Sequence, residues 1–101
     1  MSNAVITLAR YGTDLSSRAT GVAVRDAMVA ALAQGSERVS VDCSGIRTLS
    51  ESFADEVFGI LVAEHGKPWF KQHIAVTGLT DSTRAAILRA IAERLHLDPA
   101  A

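Results

Sequence analysis

The stretch VSVDCSGIRTLSESFADEVFGIL, residues 39–61, decides the fold because it joins a short β-rich run to an amphipathic helix. Residues 39–43 alternate apolar and polar side chains and end at Ser44-Gly45, which is typical of a strand that runs into a loop. From Ser52 to about His65, one side of a helical wheel carries the apolar residues Phe53, Val57, Ile60 and Leu61, with Phe58 at its margin. The stretch therefore predicts a strand followed by a helix, called helix two, that packs by its apolar side.

The rest of the chain repeats this alternation of short strands and helices. Residues 5–9 and 73–77 predict strands, because each run is short, partly β-branched and followed by a turn. Residues 18–34 predict a helix, and a last helix follows a cap at Thr80 or Asp81. The order βαβαβα predicts an α/β fold with a mostly parallel sheet and helices packed against its faces.

Composition indicates one small domain over residues 1–101 and excludes several classes of function. The chain has 10 basic and 11 acidic side chains, and thus a net charge of −1. Nucleic-acid binding usually draws on a strong positive charge, so we expect no nucleic-acid partner. No segment reaches the roughly 18 apolar residues that span a bilayer, so we expect no membrane insertion. The lone cysteine, Cys43, cannot form an intramolecular disulfide, which favours a cytoplasmic location.

Four runs carry a resemblance to a known family. Residues 8–15 hold Gly12 and Asp14-Leu15 before the first helix, residues 41–46 read VDCSGI, and residues 75–80 read AVTGLT before the last helix. In order and spacing these three runs resemble the STAS domain family, named for sulfate transporters and anti-sigma factor antagonists. The fourth run, SFADEVFGIL at residues 52–61, further resembles a divergent branch described as STAS-like.

The resemblance implies a non-enzymatic switch. Bacterial regulators of the wider family bind an ATP-dependent serine kinase that also acts as an anti-sigma factor, and they are phosphorylated in return. The implied protein partner is therefore a histidine-kinase-like ATPase or anti-sigma serine kinase. Counted without gaps from Asp42, Glu51 occupies the family's phosphoacceptor position, where it can imitate a permanently modified state; a gap of one residue restores a serine. Ser50 and Ser52 are the phosphorylation candidates, since a helix N-terminus favours a phosphate.

The helical wheel predicts a partner-binding surface on the outward side of helix two. Asp55, Glu56 and Gly59 gather there beside small or apolar residues, and Glu51 and Ser52 precede them at the start of the helix. Gly59 costs about 1 kcal/mol relative to alanine in a helix interior, so a close contact should justify it. That contact is either a partner's backbone or an adjacent part of this chain. Ser52 and Asp55 also have the spacing of an ordinary helix cap.

A rival hypothesis from another class is a small ligand-binding domain or enzyme. Its candidates, Asp42, Ser44, Ser52 and Glu56, stand at strand and helix ends, where α/β folds often place ligands. Asp42 can equally cap its own loop. No metal-ligand spacing links the histidines with Cys43, and glycine-rich phosphate loops are missing from the sequence, so we expect neither a metal nor a nucleotide cofactor. A third hypothesis is a self-associating module, that is, a homo-oligomer.

Two remaining features have a structural and a functional interpretation. Trp69-Phe70 follows Gly66-Lys67-Pro68, which breaks helix two, so we expect this aromatic pair outside any regular element. It either covers the core or anchors a partner. Arg84, Arg89 and Arg94 recur along the last helix but spread around it, which favours a solubilising role.

Overall fold

The computed structural model describes residues 3–96, in which strands and helices alternate along the chain. A 3-10 turn over Leu8–Tyr11 follows the first strand. A π-helical turn over Asp55–Gly59 joins two α-helical segments into one continuous helix, residues 51–65, called the central helix. In chain order the elements are β1 (Asn3–Thr7), β2 (Asp14–Leu15), α1 (Arg18–Ala33), β3 (Arg38–Asp42), β4 (Thr48–Leu49), α2 (Glu51–Ala54), α3 (Ile60–His65), α4 (Lys67–His73), β5 (Ile74–Thr77) and α5 (Asp81–His96).

The main sheet is parallel and has β3 at its centre, between β1 and β5. Val41 of β3 pairs with Ile6 on one side and Val76 on the other, and Val39 lies one pleat away on the same face. Both valines are fully buried, whereas Ser40 between them points to the opposite face and is half-buried. The predicted α/β fold with a mostly parallel sheet is confirmed.

The first strand and the number of strands differ from the prediction. β1 begins and ends two residues earlier than expected, because the chain turns into a 3-10 helix at Leu8, which is fully buried. β2 and β4 form a second parallel pair in which Asp14 lies opposite Thr48. The Asp14 carboxylate accepts hydrogen bonds from the guanidinium of Arg47 and the hydroxyl of Thr48. A ladder of two residues is too short to produce a periodic pattern in the sequence.

The central helix lies between α1 and α5 and contributes much of the core. Its apolar side is rotated relative to the helical wheel. Phe58, predicted at the margin, has no exposed surface, while Ile60, predicted on the apolar side, is only half-buried and Val62 is buried. The physical reason is the π turn: its i→i+5 hydrogen bonds widen the helix, so residues after it no longer follow a constant step of 100°.

Residues that the sequence assigned to a break form a helix of their own, α4. Pro68 stands in its first turn, where a missing N–H costs no hydrogen bond. Trp69 stacks between the imidazole rings of His65 and His73, with ring centroids 4.0 and 4.8 Å away. Phe70 places its ring edge-on against buried Phe58 at 6.1 Å. The prediction that the aromatic pair lies outside a regular element is wrong, and Phe70 packs against the core.

Hydroxyl side chains cap the two long helices. The Ser17 hydroxyl accepts a hydrogen bond from the N–H of Thr20 at the start of α1. At the start of α5, the Thr80 hydroxyl accepts from the N–H of Thr83, and the Thr83 hydroxyl accepts from the N–H of Thr80. Both helices therefore begin where predicted. None of the helices within residues 3–96 is long and apolar enough to cross a membrane.

Candidate functional site

A polar cleft of about 390 Å³ opens at the start of the central helix, next to α1 and α5. Three predicted site residues, Glu51, Ser52 and Asp55, meet there. The cleft combines serine with acidic and basic groups, and its polar lining consists of Arg18, Glu51, Ser52, Asp55, Glu93 and Arg94. We call this the helix-start cleft.

Ser50 is the cap of the central helix. Its hydroxyl oxygen accepts the N–H of Phe53 at 3.1 Å and donates to the carbonyl of Ser16 at 3.3 Å. The interpretation of Ser52 as the cap is therefore wrong, because the helix begins one residue earlier than predicted, at Glu51. The half-buried hydroxyl of Ser50 serves the structure of this helix start.

Ser52 occupies the second position of the helix and is exposed. Within residues 3–96 its hydroxyl has no hydrogen-bond partner, although it lines the same cleft as Arg18 and Arg94. Glu51, just before it, is also exposed, and its carboxylate accepts a hydrogen bond of 2.6 Å from Nε of Arg89 on α5. Of the two predicted serines, Ser52 is the one whose hydroxyl is accessible and uncommitted.

Asp55 lines the cleft and binds arginines of two other helices. Nε and Nη2 of Arg94 donate to its two carboxylate oxygens at 2.6 and 2.7 Å, and Nη1 of Arg18 donates at 3.1 Å. The Asp55 side chain retains only 16% exposure. The hydrogen bonds from Arg94, reinforced by Arg18, hold the pKa of the Asp55 carboxyl below its usual range.

Glu56 makes the corresponding contact with α1. Nη1 of Arg25 lies 2.7 Å from both the carboxylate and the backbone carbonyl of Glu56, and Nη1 of Arg18 lies 3.0 Å from the carboxylate. These hydrogen bonds, that of Arg25 first, lower the pKa of the Glu56 carboxyl. Because Arg18 contacts both acids, the five residues Arg18, Arg25, Asp55, Glu56 and Arg94 form one connected set, called the arginine–carboxylate network.

Helix two of the prediction is the central helix of the structure, and its predicted outward strip is not exposed. Gly59 is buried, and Asp55 and Glu56 point into ion pairs with α1 and α5. A Cβ on Gly59 would stand 3.2 Å from Cγ of Arg94, so the close contact that justifies this glycine is within the chain. The predicted docking strip formed by these three residues is therefore corrected: two helices of the same molecule cover it.

The arginines of this network were not recognised as site residues in the sequence. Arg94 was expected to solubilise α5, as was Arg89, yet both bind acids of the central helix. One signal was available: Arg18 and Arg25 are seven residues apart, which places them on one face of α1. This spacing does not predict which acids the arginines bind, because Glu56 lies 31 residues from Arg25 in the chain.

The residues of the rival ligand-binding hypothesis are not brought together in this cleft. Asp42 caps its own loop: its carboxylate accepts the N–H of Ser44 at 2.9 Å, which lowers the pKa of the Asp42 carboxyl. Gly78, at φ +70°, packs so closely here that a Cβ would stand 2.6 Å from the nitrogen of Ser44. Ser52 lines the helix-start cleft, whereas Asp42, Ser44 and Glu56 are not part of its lining.

Cys43 lies in the core, where its thiol is protonated. Burial, with the Asp42 charge as a smaller contribution, raises the pKa of the Cys43 thiol to about 11, so the thiolate that a nucleophile requires is scarce. Among the described side chains, those of residues 3–95, no three or more His, Cys, Asp or Glu side chains are grouped as they would be around a metal ion.

These observations define a small α/β domain whose central helix is tied by ion pairs to the helices on either side. A family model described as a STAS-like domain of unknown function matches residues 20–84, from the first turn of α1 to the first turn of α5. The chain therefore belongs to the STAS-like domain family, and the predicted resemblance is confirmed. No curated protein and no solved structure matches the chain significantly.

Proposed function

We propose that the chain is a non-catalytic regulatory module that binds a protein partner at the helix-start cleft, under the control of phosphorylation at Ser52. The observation that carries the proposal is the position of the Ser52 hydroxyl, exposed in the first helical turn and lining one cleft with Arg18 and Arg94. A kinase can reach such a hydroxyl without unfolding the helix. The partner proposed is the one that the resemblance implies, a histidine-kinase-like ATPase or anti-sigma serine kinase of a bacterial cytoplasm.

A phosphate on Ser52 would change the contacts of the cleft as well as its charge. Phosphorylation adds about 1.5 to 2 negative charges and three strong acceptor oxygens. Arg18 and Arg94 line the same cleft and now bind Asp55, so phosphate and carboxylate compete for the same guanidinium groups. The modification therefore acts on the network that joins α1, the central helix and α5.

Glu51 supports the same site in a second way. Its carboxylate already binds Arg89 at the rim of the cleft, next to Ser52 in the chain. Both residues lie in the first helical turn, where unpaired N–H groups and the helix dipole favour negative charge by about 0.3 to 1 kcal/mol each. We therefore propose Glu51 as a fixed anion and Ser52 as the switchable one.

The proposal is tested by mapping phosphoserines on the protein recovered from its native cells and by capture of the partner with variants. We expect phosphate on Ser52, and we expect Ser52→Glu to recover at least about tenfold less of a bound ATPase, a change of 1.4 kcal/mol. Ser82→Glu is the matched control, because Ser82 is the exposed second residue of α5 and likewise follows an acidic residue.

Three results would contradict the proposal. Phosphate found only on Ser50 would mean that the site requires opening of the helix cap. Equal loss of the partner with Ser52→Glu and Ser82→Glu would mean that added charge, rather than the cleft, decides binding. Recovery of a small metabolite in place of a protein would favour the ligand-binding hypothesis.

A further inference from the structure

An apolar groove of about 440 Å³ lies between α5 and α4, apart from the helix-start cleft. Leu88, Ile91 and Leu95 of α5 line it together with Phe70 of α4. Leu88 is 58% exposed, so the apolar lining of the groove is open to solvent. The residues of α5 that line the cleft, Glu93 and Arg94 among them, are not in this lining. We call it the α5 groove.

One wall of the α5 groove is positively charged. Lys67 and Lys71, the only lysines of the chain, are four residues apart on α4 and both line the groove. Neither forms an ion pair within residues 3–96, in contrast to Arg94 and Arg25. Among the side chains that the structure describes, those of residues 3–95, no carboxylate belongs to the lining. The groove therefore suits an apolar segment that carries negative charge.

The exposed side of α1 has the complementary character. It presents small side chains with one acid in their middle, at the 4-3-4-3 spacing of a coiled-coil seam: Ala19, Ala23, Asp26, Ala30 and Ala33. Each is exposed, and Val29 beside them is 45% exposed. Within residues 3–96 the Asp26 carboxylate forms no ion pair. We call this row of five residues the α1 seam.

We propose that the α1 seam of one molecule docks into the α5 groove of a second copy. Alanines allow a helix to approach closely, so the large side chains Leu88 and Leu95 can pack against the seam. Leu88 and Leu95 are seven residues apart, about 10.5 Å along the helix, and the alanines on either side of Asp26, Ala23 and Ala30, have the same separation. Asp26 then meets the ammonium groups that line the groove wall.

Charge also selects this asymmetric pairing over symmetric ones. If two α1 seams packed antiparallel about their midpoints, the two Asp26 carboxylates would lie together and repel each other. If two α5 grooves packed together, four lysines would do the same. Pairing a seam with a groove is heterologous, so association continues until a ring closes or a filament forms. The proposal goes beyond the proposed function and uses other surfaces, so either can fail alone.

The test uses the full chain and two variants that each disable one surface. Asp26→Lys places a cation on the seam, and Leu88→Arg places one in the groove; both positions are exposed, so the fold should survive, as thermal midpoints will show. Light scattering should show a wild-type mass that rises from low micromolar to millimolar concentration and falls with added salt. Each variant alone should stay monomeric.

The equimolar mixture of the variants is decisive. The intact groove of Asp26→Lys should take the intact seam of Leu88→Arg and give a species of twice the mass of one chain that cannot grow further. Glu37→Lys, the same change of charge at an exposed residue outside the seam, should associate like the wild type. A wild type that is monomeric at every concentration, a mixture that fails to pair, or an Asp26→Lys variant that still associates alone would overturn the proposal.

Discussion

Arg94 donates two hydrogen bonds to the two carboxylate oxygens of Asp55, at 2.6 and 2.7 Å, across the contact between α5 and the π turn. Arg18 reaches the same carboxylate from α1. Gly59 leaves room for the crossing, because a Cβ there would stand 3.2 Å from Cγ of Arg94. Asp55 thereby links three helices, which explains why this acid is mostly covered instead of being presented to a partner.

Replacing Arg94 by alanine should lower the free energy of unfolding by about 1.5 to 3 kcal/mol, because Asp55 loses two charged hydrogen bonds while remaining largely buried. Arg89→Ala is the matched control on the same helix: its pair with Glu51 has side chains 63% and 46% exposed, so the loss should be at most about 1 kcal/mol. Urea unfolding of the two variants measures both values. Equal losses would contradict the role given to Asp55.

Gly21→Ala should destabilise the protein, although alanine is the better helix former by about 1 kcal/mol. Gly21 is buried where α1 meets the central helix, and a Cβ there would stand 2.7 Å from Cβ of Glu56 and 3.3 Å from the carbonyl oxygen of Phe53. Because these atoms belong to or adjoin the backbone, the helices must separate, at a cost of about 1 to 3 kcal/mol. A thermal midpoint at or above that of the wild type would show that the contact can relax.

The sequence was sufficient to predict the parallel sheet and the long helices, because their periodic patterns extend over many residues. Residues 39–42 alternate as a strand buried on one face, and the caps at Ser17 and Thr80 are local signals. The short strand pair that contains Asp14 and Thr48 was not predicted. Each of its strands has two residues, which is too few to show an alternation of apolar and polar side chains.

The candidate site was predicted only in part, and the main reason is the long-range packing of α1 and α5 against the central helix. Glu51, Ser52 and Asp55 do meet, as their spacing on one helix suggested. Which side of that helix faces solvent depends on how α1 and α5 pack against it, and on a turn that no sequence pattern marks. The acids at 55 and 56 therefore looked like a solvated face, although the arginines that cover them lie more than 30 residues away.

Ser50→Ala and Ser52→Ala should have different effects on stability, although the two serines are two residues apart. Ser50 caps the central helix, so its loss should cost about 1 kcal/mol. Ser52 is exposed and its hydroxyl has no hydrogen-bond partner within residues 3–96, so its replacement should stay within about 0.5 kcal/mol of the wild type. Chemical denaturation separates the two, and a larger loss at Ser52 would reverse the assignment of the cap.

The stability of the protein should fall on acidification because the arginine–carboxylate network lowers the pKa values of Asp55 and Glu56. In the unfolded chain these carboxyls return to about 3.9 and 4.3, so the unfolded state takes up protons first as the pH decreases. Their contribution is complete above these values and is lost as the pH falls towards the lower pKa values of the folded state. Asp55→Asn with Glu56→Gln should be less stable near pH 7 and should lose less free energy of unfolding between about pH 5 and pH 2. Urea unfolding across this range measures the difference, and parallel profiles for variant and wild type would show that the network does not couple folding to protonation.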